Sequence, residues 1–238
     1  MPSPAEFAAN LRAQKLKRRT RRLIISGGGA LLVLIVGLLA WLLVFSPVLD
    51  ARIVEVEGVK LLDEQTVIDT AAVPLGTPLA RVRAGQVADR VATHSEVRNA
   101  FVTRKFPNTI HIEVVERVPL FQVGKGGAFS YIDAEGHAVR ESQPHHATLP
   151  EVKVVKPDAR KLIDVGTVVE ALPESVAKQV ALVELKSVDR IEIRLQDGPR
   201  VVWGSAEDSE LKAQVLEPLL QVDAKVYDVS APNHPTTR

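Results

Sequence analysis

The sequence predicts a single transmembrane helix followed by an α+β outer region: a β-α-α-β-β domain, then a mixed-sheet β domain. Three observations predict it. An uncharged apolar run, Leu23 to Phe45, follows a strongly basic stretch. Residues 51–118 alternate period-2 and period-3.6 apolar patterns in the order strand, helix, helix, strand, strand. From residue 119 onward short alternating runs separated by turn signals dominate, with helical patterns between them. The boundaries predicted are a basic tail over 1–22, the span over 23–45, a linker over 46–50, a first domain over 51–118, a second over 119–231 and a flexible tail over 232–238.

Leu23 to Phe45 carries no charge, and at about 1.5 Å per residue it covers roughly 34 Å, more than a hydrocarbon core of about 30 Å. Arg12, Lys15, Lys17, Arg18, Arg19, Arg21 and Arg22 crowd the residues before it, while only Asp50 and Arg52 lie just after it. The positive-inside rule therefore puts the N-terminus in the cytoplasm and the rest of the chain outside. A cleaved signal peptide would have a shorter apolar region ending in a small-x-small site, which Ser46-Pro47-Val48-Leu49-Asp50 does not offer. Next to a span, topology and anionic lipid account for the basic run more simply than nucleic acid does.

The 238 residues are 46% hydrophobic and 25% charged, a balance that supports one or two packed cores rather than disorder. A net charge of +1 makes the protein as a whole no polyanion binder. Cysteine is absent, which excludes a disulfide framework and a thiolate metal site. Aromatic residues are only 4%, so the cores must rest on Val, Leu, Ile and Ala.

Ile53 to Glu57 reads as a strand, with Val54 and Val56 facing one way and Glu55 and Glu57 the other. Leu62 to Ala72 reads as a helix, with Asp63 as N-cap and Val67, Ile68 and Ala71 on its apolar face. A second helix runs from about Ala84 to Thr93, with Ala84, Val87, Ala88 and Val91 at i, i+3, i+4 and i+7. Val97 to Phe106 and Thr109 to Val115 form a hairpin about Pro107-Asn108, with Ile110, Ile112 and Val114 alternating with His111, Glu113 and Val115. Neither helix is long enough to be stable alone, so each should pack on one face of a small sheet.

In the second domain, strands are expected at Leu120–Val123, Phe129–Asp133, His137–Arg140, Glu151–Val154, Arg190–Leu195, Val201–Trp203 and Lys225–Ser230. Ile191, Ile193 and Leu195 should point inward. Leu172 to Glu184 reads as a helix with Val176, Val180 and Val183 on one face. Another helix begins near Asp208, with Leu211, Val215 and Leu219 aligned and Pro218 kinking or ending it. The last strand is expected at a sheet edge, where its backbone groups stay unpaired unless something adds to them.

Several residue groups resemble chemistry without completing it. Ser175-Val176-Ala177-Lys178 matches S-x-x-K, but no S-D-N or K-T-G accompanies it. His145-His146 are adjacent in a loop without a carboxylate at metal-ligand spacing. The glycines at 27–29 and 124–127 lack the Lys-Ser/Thr and the helix of a phosphate loop. Asp133 and Glu135 lie in a turn, where such residues are common for conformational reasons. No catalytic set, metal site or cofactor site is assembled from the sequence.

The runs V-x-V-x-G-V (54–59), D-E-Q-T-V (63–67), G-T-P-L (76–79), V-R-N-A-x-V-x-R-x-F-P-N-T-I-x-I (97–112) and E-R-x-P-L (116–120) resemble a POTRA domain. Joined to one N-terminal membrane helix, the chain resembles the FtsQ/DivIB family of bacterial division proteins. Tyr131 to Gly136 resembles that family's D-x-x-G hairpin, Leu149-Pro150 its following L-P, and Val226 to Pro232 its closing strand. The high Ala, Val and Arg content suggests an actinobacterial version.

The resemblance implies a non-catalytic scaffold of the division apparatus, a single-pass protein with its outer domain extracytoplasmic and concentrated at the septum. Such proteins recruit the FtsB–FtsL coiled-coil pair and, through it, the septal peptidoglycan synthase. The family's binding surface on the terminal strand carries over to Tyr227, Asp228, Val229, Ser230 and Ala231. Tyr227 as a core residue and Asp228 as a strand-end cap are the alternative readings. In the POTRA domain, which the family associates with localisation and earlier-arriving partners, Ile110, Ile112 and Glu113 on the hairpin strand are the candidates. For Glu116 and Arg117 an ion pair at the domain junction is the simpler expectation. The alternative class is a membrane-anchored cell-wall enzyme or a POTRA-type secretion component, the latter usually carrying repeated POTRA units and a barrel.

Overall fold

A computed structural model describes residues 29, 31–38, 41 and 47–238. Residues 31–38 are α-helical (α1), and their large apolar side chains are exposed. The predicted tail, 1–22, and most of the predicted span, 23–45, lie outside the described residues. Among those described, no helix is long and apolar enough to cross a membrane.

The chain divides into two compact units: residues 1–55, 72–87 and 102–112, and residues 56–71, 88–101 and 113–238. The β-α-α-β-β order expected of the first segment is present as β1 (Ile53–Glu57), α2 (Glu64–Ala71), α3 (Ala84–Val91), β2 (Val97–Lys105) and β3 (Thr109–Glu116). The strands form a sheet in the order β1-β3-β2, so the hairpin strand β3 is central. Its even-numbered residues Ile110, Ile112 and Val114 are buried on one face, and Thr109 and His111 are buried on the other. Asp63 precedes α2 as its cap: the Asp63 carboxylate accepts from Gln65 N–H at 3.1 Å. Where α2 ends, the Arg90 guanidinium donates to the Ala71 carbonyl from Nε at 2.9 Å, satisfying an acceptor the helix leaves over.

The second unit contains a nine-stranded mixed sheet. Its strands are β4 (Phe121–Lys125), β5 (Ala128–Ile132), β6 (Ala138–Gln143), β7 (Glu151–Val154), β8 (Val180–Ser187), β9 (Arg190–Leu195), β10 (Arg200–Gly204), β11 (Val226–Asp228) and β12 (Thr236–Thr237). Their order is β12-β11-β10-β9-β8-β7-β4-β5-β6. The pairs β4–β7, β7–β8 and β10–β11 are parallel and the others antiparallel. Helices α4 (Ala159–Ala171), α5 (Glu174–Ala177) and α6 (Ser209–Leu219) contribute Val165, Val168, Val169, Val176, Ala213 and Leu216 to a core shared with Val183, Leu185, Ile191, Ile193, Val201, Trp203, Tyr227 and Val229.

The structure corrects the second-domain reading in three places. The helix expected over Leu172–Glu184 is only the single turn α5, and Val180–Ser187 is strand β8. A register shift between Val180 and Leu182 places Val180 and Val183, three residues apart, both inside, which imitates a helical spacing. The long helix lies earlier, at α4, capped by the Asp158 carboxylate accepting from Lys161 N–H at 3.0 Å. On α6, Lys212, Ala213 and Leu216 are buried, Val215 and Leu219 half-buried, and Leu211 exposed. Pro218 lies inside this helix, one residue before its last residue, Leu219.

Candidate partner-binding surface

The terminal strand is not an edge. β11 lies between β10, which pairs Val201 with Tyr227 and Val202 with Asp228, and β12, which pairs Tyr227 with Thr237 and Asp228 with Thr236. The residues expected to form a flexible tail thus return to the sheet and become its outer strand. Backbone bonds continue past β12, where Arg238 N–H donates to the Val226 carbonyl at 2.9 Å and the Arg238 carbonyl oxygen accepts from Val226 N–H at 2.9 Å. In an antiparallel ladder alternate residues bond the neighbouring strand, so with Arg238 facing β11, Thr237 turns its N–H and C=O outward.

The predicted contact residues on this strand divide into two sets. Tyr227 and Val229 belong to the core, at 4% and 0% exposed. The Tyr227 hydroxyl donates to the Val222 carbonyl at 2.7 Å and accepts from Ala224 N–H at 3.3 Å, fixing the loop that leads into the strand. Val229 N–H donates to the Val202 carbonyl at 3.0 Å, extending the parallel pairing with β10. Asp228 is half-buried; its carboxylate accepts from Ser230 N–H at 3.1 Å and Ser230 Oγ at 2.6 Å, which ends the strand. Ser230 and Ala231 are exposed. Gly204 makes room for Ser230: a Cβ there would meet Ser230 Cβ at 2.9 Å, and its φ of +81° suits glycine.

On the first sheet, Ile110 and Ile112 are fully buried in the central strand, so neither has surface to offer, whereas Glu113 is exposed. Glu116 and Arg117 do not pair with each other. Glu116 accepts from Leu61 N–H and Leu62 N–H, each at 2.9 Å. Burial alone would raise its carboxyl, but the backbone bonds from Leu62, Lys60 and Leu61, with the charge of Arg140, hold it below the ordinary value. Arg117 donates to Asp133 at 2.6 Å and to Glu135 at 3.1 Å, and Arg98 pairs with Glu135. Burial would lower the Arg117 guanidinium, but its bonds to Asp133 and Glu135 raise it. All of these residues lie within the second unit. Sequence reasoning missed this network, although its halves stand in the E-R-x-P run and the Asp133–Gly136 turn.

The apparent chemical motifs find ordinary partners. Ser175 Oγ donates to Glu217 at 3.1 Å, while Lys178 pairs with Glu174 at 2.7 Å, so the S-x-x-K members engage different carboxylates. His145 sits edge-on to Phe129 and His146 edge-on to Tyr131, with ring centroids 5.1 and 5.6 Å apart, which separates the two imidazoles. Asp133, Glu135 and His137 bring ligand atoms within 4.8 Å of one another. The Arg117 guanidinium already provides the positive charge there, 2.6 Å from Asp133 and 3.2 Å from His137 Nδ1.

Comparison with known proteins matches both parts of the chain. A family described as POTRA domain, FtsQ-type, matches residues 49–117, and one described as Cell division protein FtsQ/DivIB, C-terminal, matches residues 122–230. The cell division protein FtsQ of Mycobacterium leprae is 35% identical over 198 residues, covering 81% of this chain and 57% of its own length. That of Mycolicibacterium smegmatis is 37% identical over 205 residues, covering 84% and 60%. The chain therefore spans less than two thirds of these mycobacterial relatives. That of Streptomyces collinus is 32% identical over 255 residues, covering 99% of this chain and 92% of its own. Among solved structures, the major extracytoplasmic domain of the cell division protein DivIB from Geobacillus stearothermophilus matches 50% of this chain and 97% of its own, at a TM-score of 0.37 and 14% identity.

Proposed function

This chain belongs to the FtsQ family of bacterial cell-division proteins, and we propose that it serves there as a non-catalytic, single-pass membrane scaffold. On this reading its outer part captures FtsB/FtsL-type coiled-coil partners and, through them, the septal peptidoglycan synthase, linking early and late division proteins. Leu23 to Phe45 is the anchor, with the N-terminus cytoplasmic. The apolar exposure of residues 31–38 supports that placement.

The observation that carries the reading is the outer edge of the nine-stranded sheet. β12 presents Thr237 N–H and C=O away from β11, and exposed Ser230 and Ala231 lie beside the end of β11. A partner segment adding here as a strand gains affinity from main-chain bonds and selectivity from side chains alongside. Tyr227 and Val229 take part as the buried support of that edge, and Asp228 as the residue that ends it. In the POTRA domain, only Glu113 of the three candidates remains a surface contact.

Thr237→Pro tests the edge. It removes the outward N–H without taking a donor from the ladder to β11. The expected outcome is at least a tenfold loss in capture of the FtsB/FtsL-type pair by the full chain, with the thermal midpoint little changed. Undiminished capture by a folded Thr237→Pro protein would remove this edge as the site.

A further inference from the structure

The first unit carries a surface that strand addition leaves without a role. Three chain segments meet there through backbone bonds. Ala51 N–H donates to the Thr77 carbonyl at 2.9 Å, Gly76 N–H to the Ala51 carbonyl at 2.9 Å, and Arg52 N–H to the Asn108 carbonyl at 2.8 Å. Asp50 and Pro78 form an isolated bridge. Each segment leaves a large apolar residue outside within three positions of these bonds: Val48 at 68% exposed, Leu75 at 60% and Phe106 at 61%, with Ile53 less exposed at 47%. Leu75 and Phe106 occupy turns, where small or polar residues are the usual choice.

The charge around them is one-sided. Over 47–55, 72–87 and 102–112 the unit has Arg52, Arg81, Arg83, Arg104 and Lys105 against only Asp50 and Glu55. All five basic residues are exposed. Arg104 also donates to the Val82 carbonyl at 2.7 Å and Lys105 pairs with Glu55 at 3.4 Å. Exposed apolar side chains in a unit with excess basic charge are the composition of a surface that seats in a lipid headgroup region. Position selects the same occupant. Val48 follows the predicted end of the span, Phe45, by three residues, a reach of at most about 11 Å of extended chain. The backbone bonds then carry Leu75 and Phe106 along with it.

We propose that Val48, Leu75 and Phe106 form an interfacial patch that enters the outer leaflet of the membrane, with Arg52, Arg81, Arg83, Arg104 and Lys105 against anionic headgroups. The patch holds the first unit on the bilayer instead of leaving it on a loose tether. The inference rests on the membrane-anchor reading given above, so its test must separate the two.

The absence of cysteine makes single labels straightforward. Val36→Cys, Leu75→Cys, Phe106→Cys and Asp197→Cys are made in the full chain, at positions whose exposure tolerates the change. Each is labelled with an environment-sensitive fluorophore and reconstituted into phosphatidylglycerol-containing vesicles with spin-labelled lipid as quencher. Quenching at Val36, Leu75 and Phe106 should exceed that at Asp197 severalfold, and salt should lower it at Leu75 and Phe106 but not at Val36. Quenching at Val36 with Leu75 and Phe106 matching Asp197 overturns the patch and leaves the anchor standing. No quenching at Val36 overturns the anchor and the patch with it. A blue-shifted but unquenched label at Phe106 identifies a second copy or another protein as the occupant, which also overturns lipid contact. Indifference to salt overturns the headgroup contacts.

Discussion

At one end of the nine-stranded sheet, β6 meets β5 through two register shifts, and Ser142 turns its backbone to φ 55°. Gln143 Nε2 donates to the Glu141 carbonyl at 2.8 Å, and Pro144 follows with no N–H. At the other end, β12 runs in register with β11 over Thr236 and Thr237, without a bulge. The first edge uses devices that deter chance strand pairing, and the second guards itself only by shortness. On the proposed reading, a sheet that blunts one edge and leaves a brief, regular one open would accept an added strand at a single place and register. The same reading gives the two buried residues of the terminal strand, Tyr227 and Val229, a supporting part. An open edge two residues long holds its geometry only if the strand behind it is fixed, and Tyr227 and Val229 fix it from within the core.

The largest effect should come from breaking that support. Val229→Asp puts a charge where the side chain is fully buried. Leaving an uncompensated charge in such a site costs on the order of 3–5 kcal/mol, comparable with breaking a buried pair. The expected result is a large fall in the denaturant midpoint, with partner capture lost as a consequence. A Val229→Asp protein that kept its midpoint but lost capture would mean that residue 229 touches the partner directly, and the division between support and contact would fail.

A smaller effect concerns the blunted end. Arg140, on β6, donates to the Leu61 carbonyl at 2.5 Å and pairs with Glu96 at 3.6 Å, and the Leu61 N–H donates to Glu116. The Glu116 carboxyl is held below its ordinary value, so its stabilising contribution is complete above the unfolded-state pKa. It is lost as the pH falls through the lower folded-state value. Stability measured across the acid range should therefore decline more gently in Glu116→Gln than in the parent, the two converging once the parent's carboxyl is protonated. Parallel declines would show that Glu116 contributes nothing pH-dependent.

How much of this was legible in the sequence follows from period and range. The first domain was readable because each element kept one clean period, as in Ile110, Ile112 and Val114 on β3. The terminal strand was found, but its neighbours were not: sheet order depends on long-range pairing that local pattern does not encode, so β11 was expected at an edge and is internal. Helix α4 was missed because Gly166, Thr167, Val168 and Val169 are poor helix formers. Its stability is tertiary. Gly166 is required because a Cβ there would lie 2.3 Å from the Ala134 carbonyl oxygen. Helix α5 and strand β8 were merged into one helix because a bulge gave a strand a helical spacing. Arg117 was assigned the adjacent Glu116, whereas its partners stand 16 and 18 residues away in the chain.

The smallest effect is the most direct test of whether the blunted edge is maintained at a cost. Ser142 holds φ 55° on an edge strand, a left-handed conformation that disfavours a residue with a Cβ by roughly 1–2 kcal/mol. Glycine relieves that strain but adds freedom to the unfolded chain, worth about 0.5–1 kcal/mol in the opposite direction. The net expectation for Ser142→Gly is a gain of about 0.5 kcal/mol, read as a small rise in denaturant midpoint at unchanged slope. The sign decides the matter. A rise means that Ser142 is strained and the irregular edge is kept despite its cost. A fall means that its surroundings hold the serine in this conformation without penalty, and the contrast with the open edge at β12 rests on the register shifts and Pro144 instead.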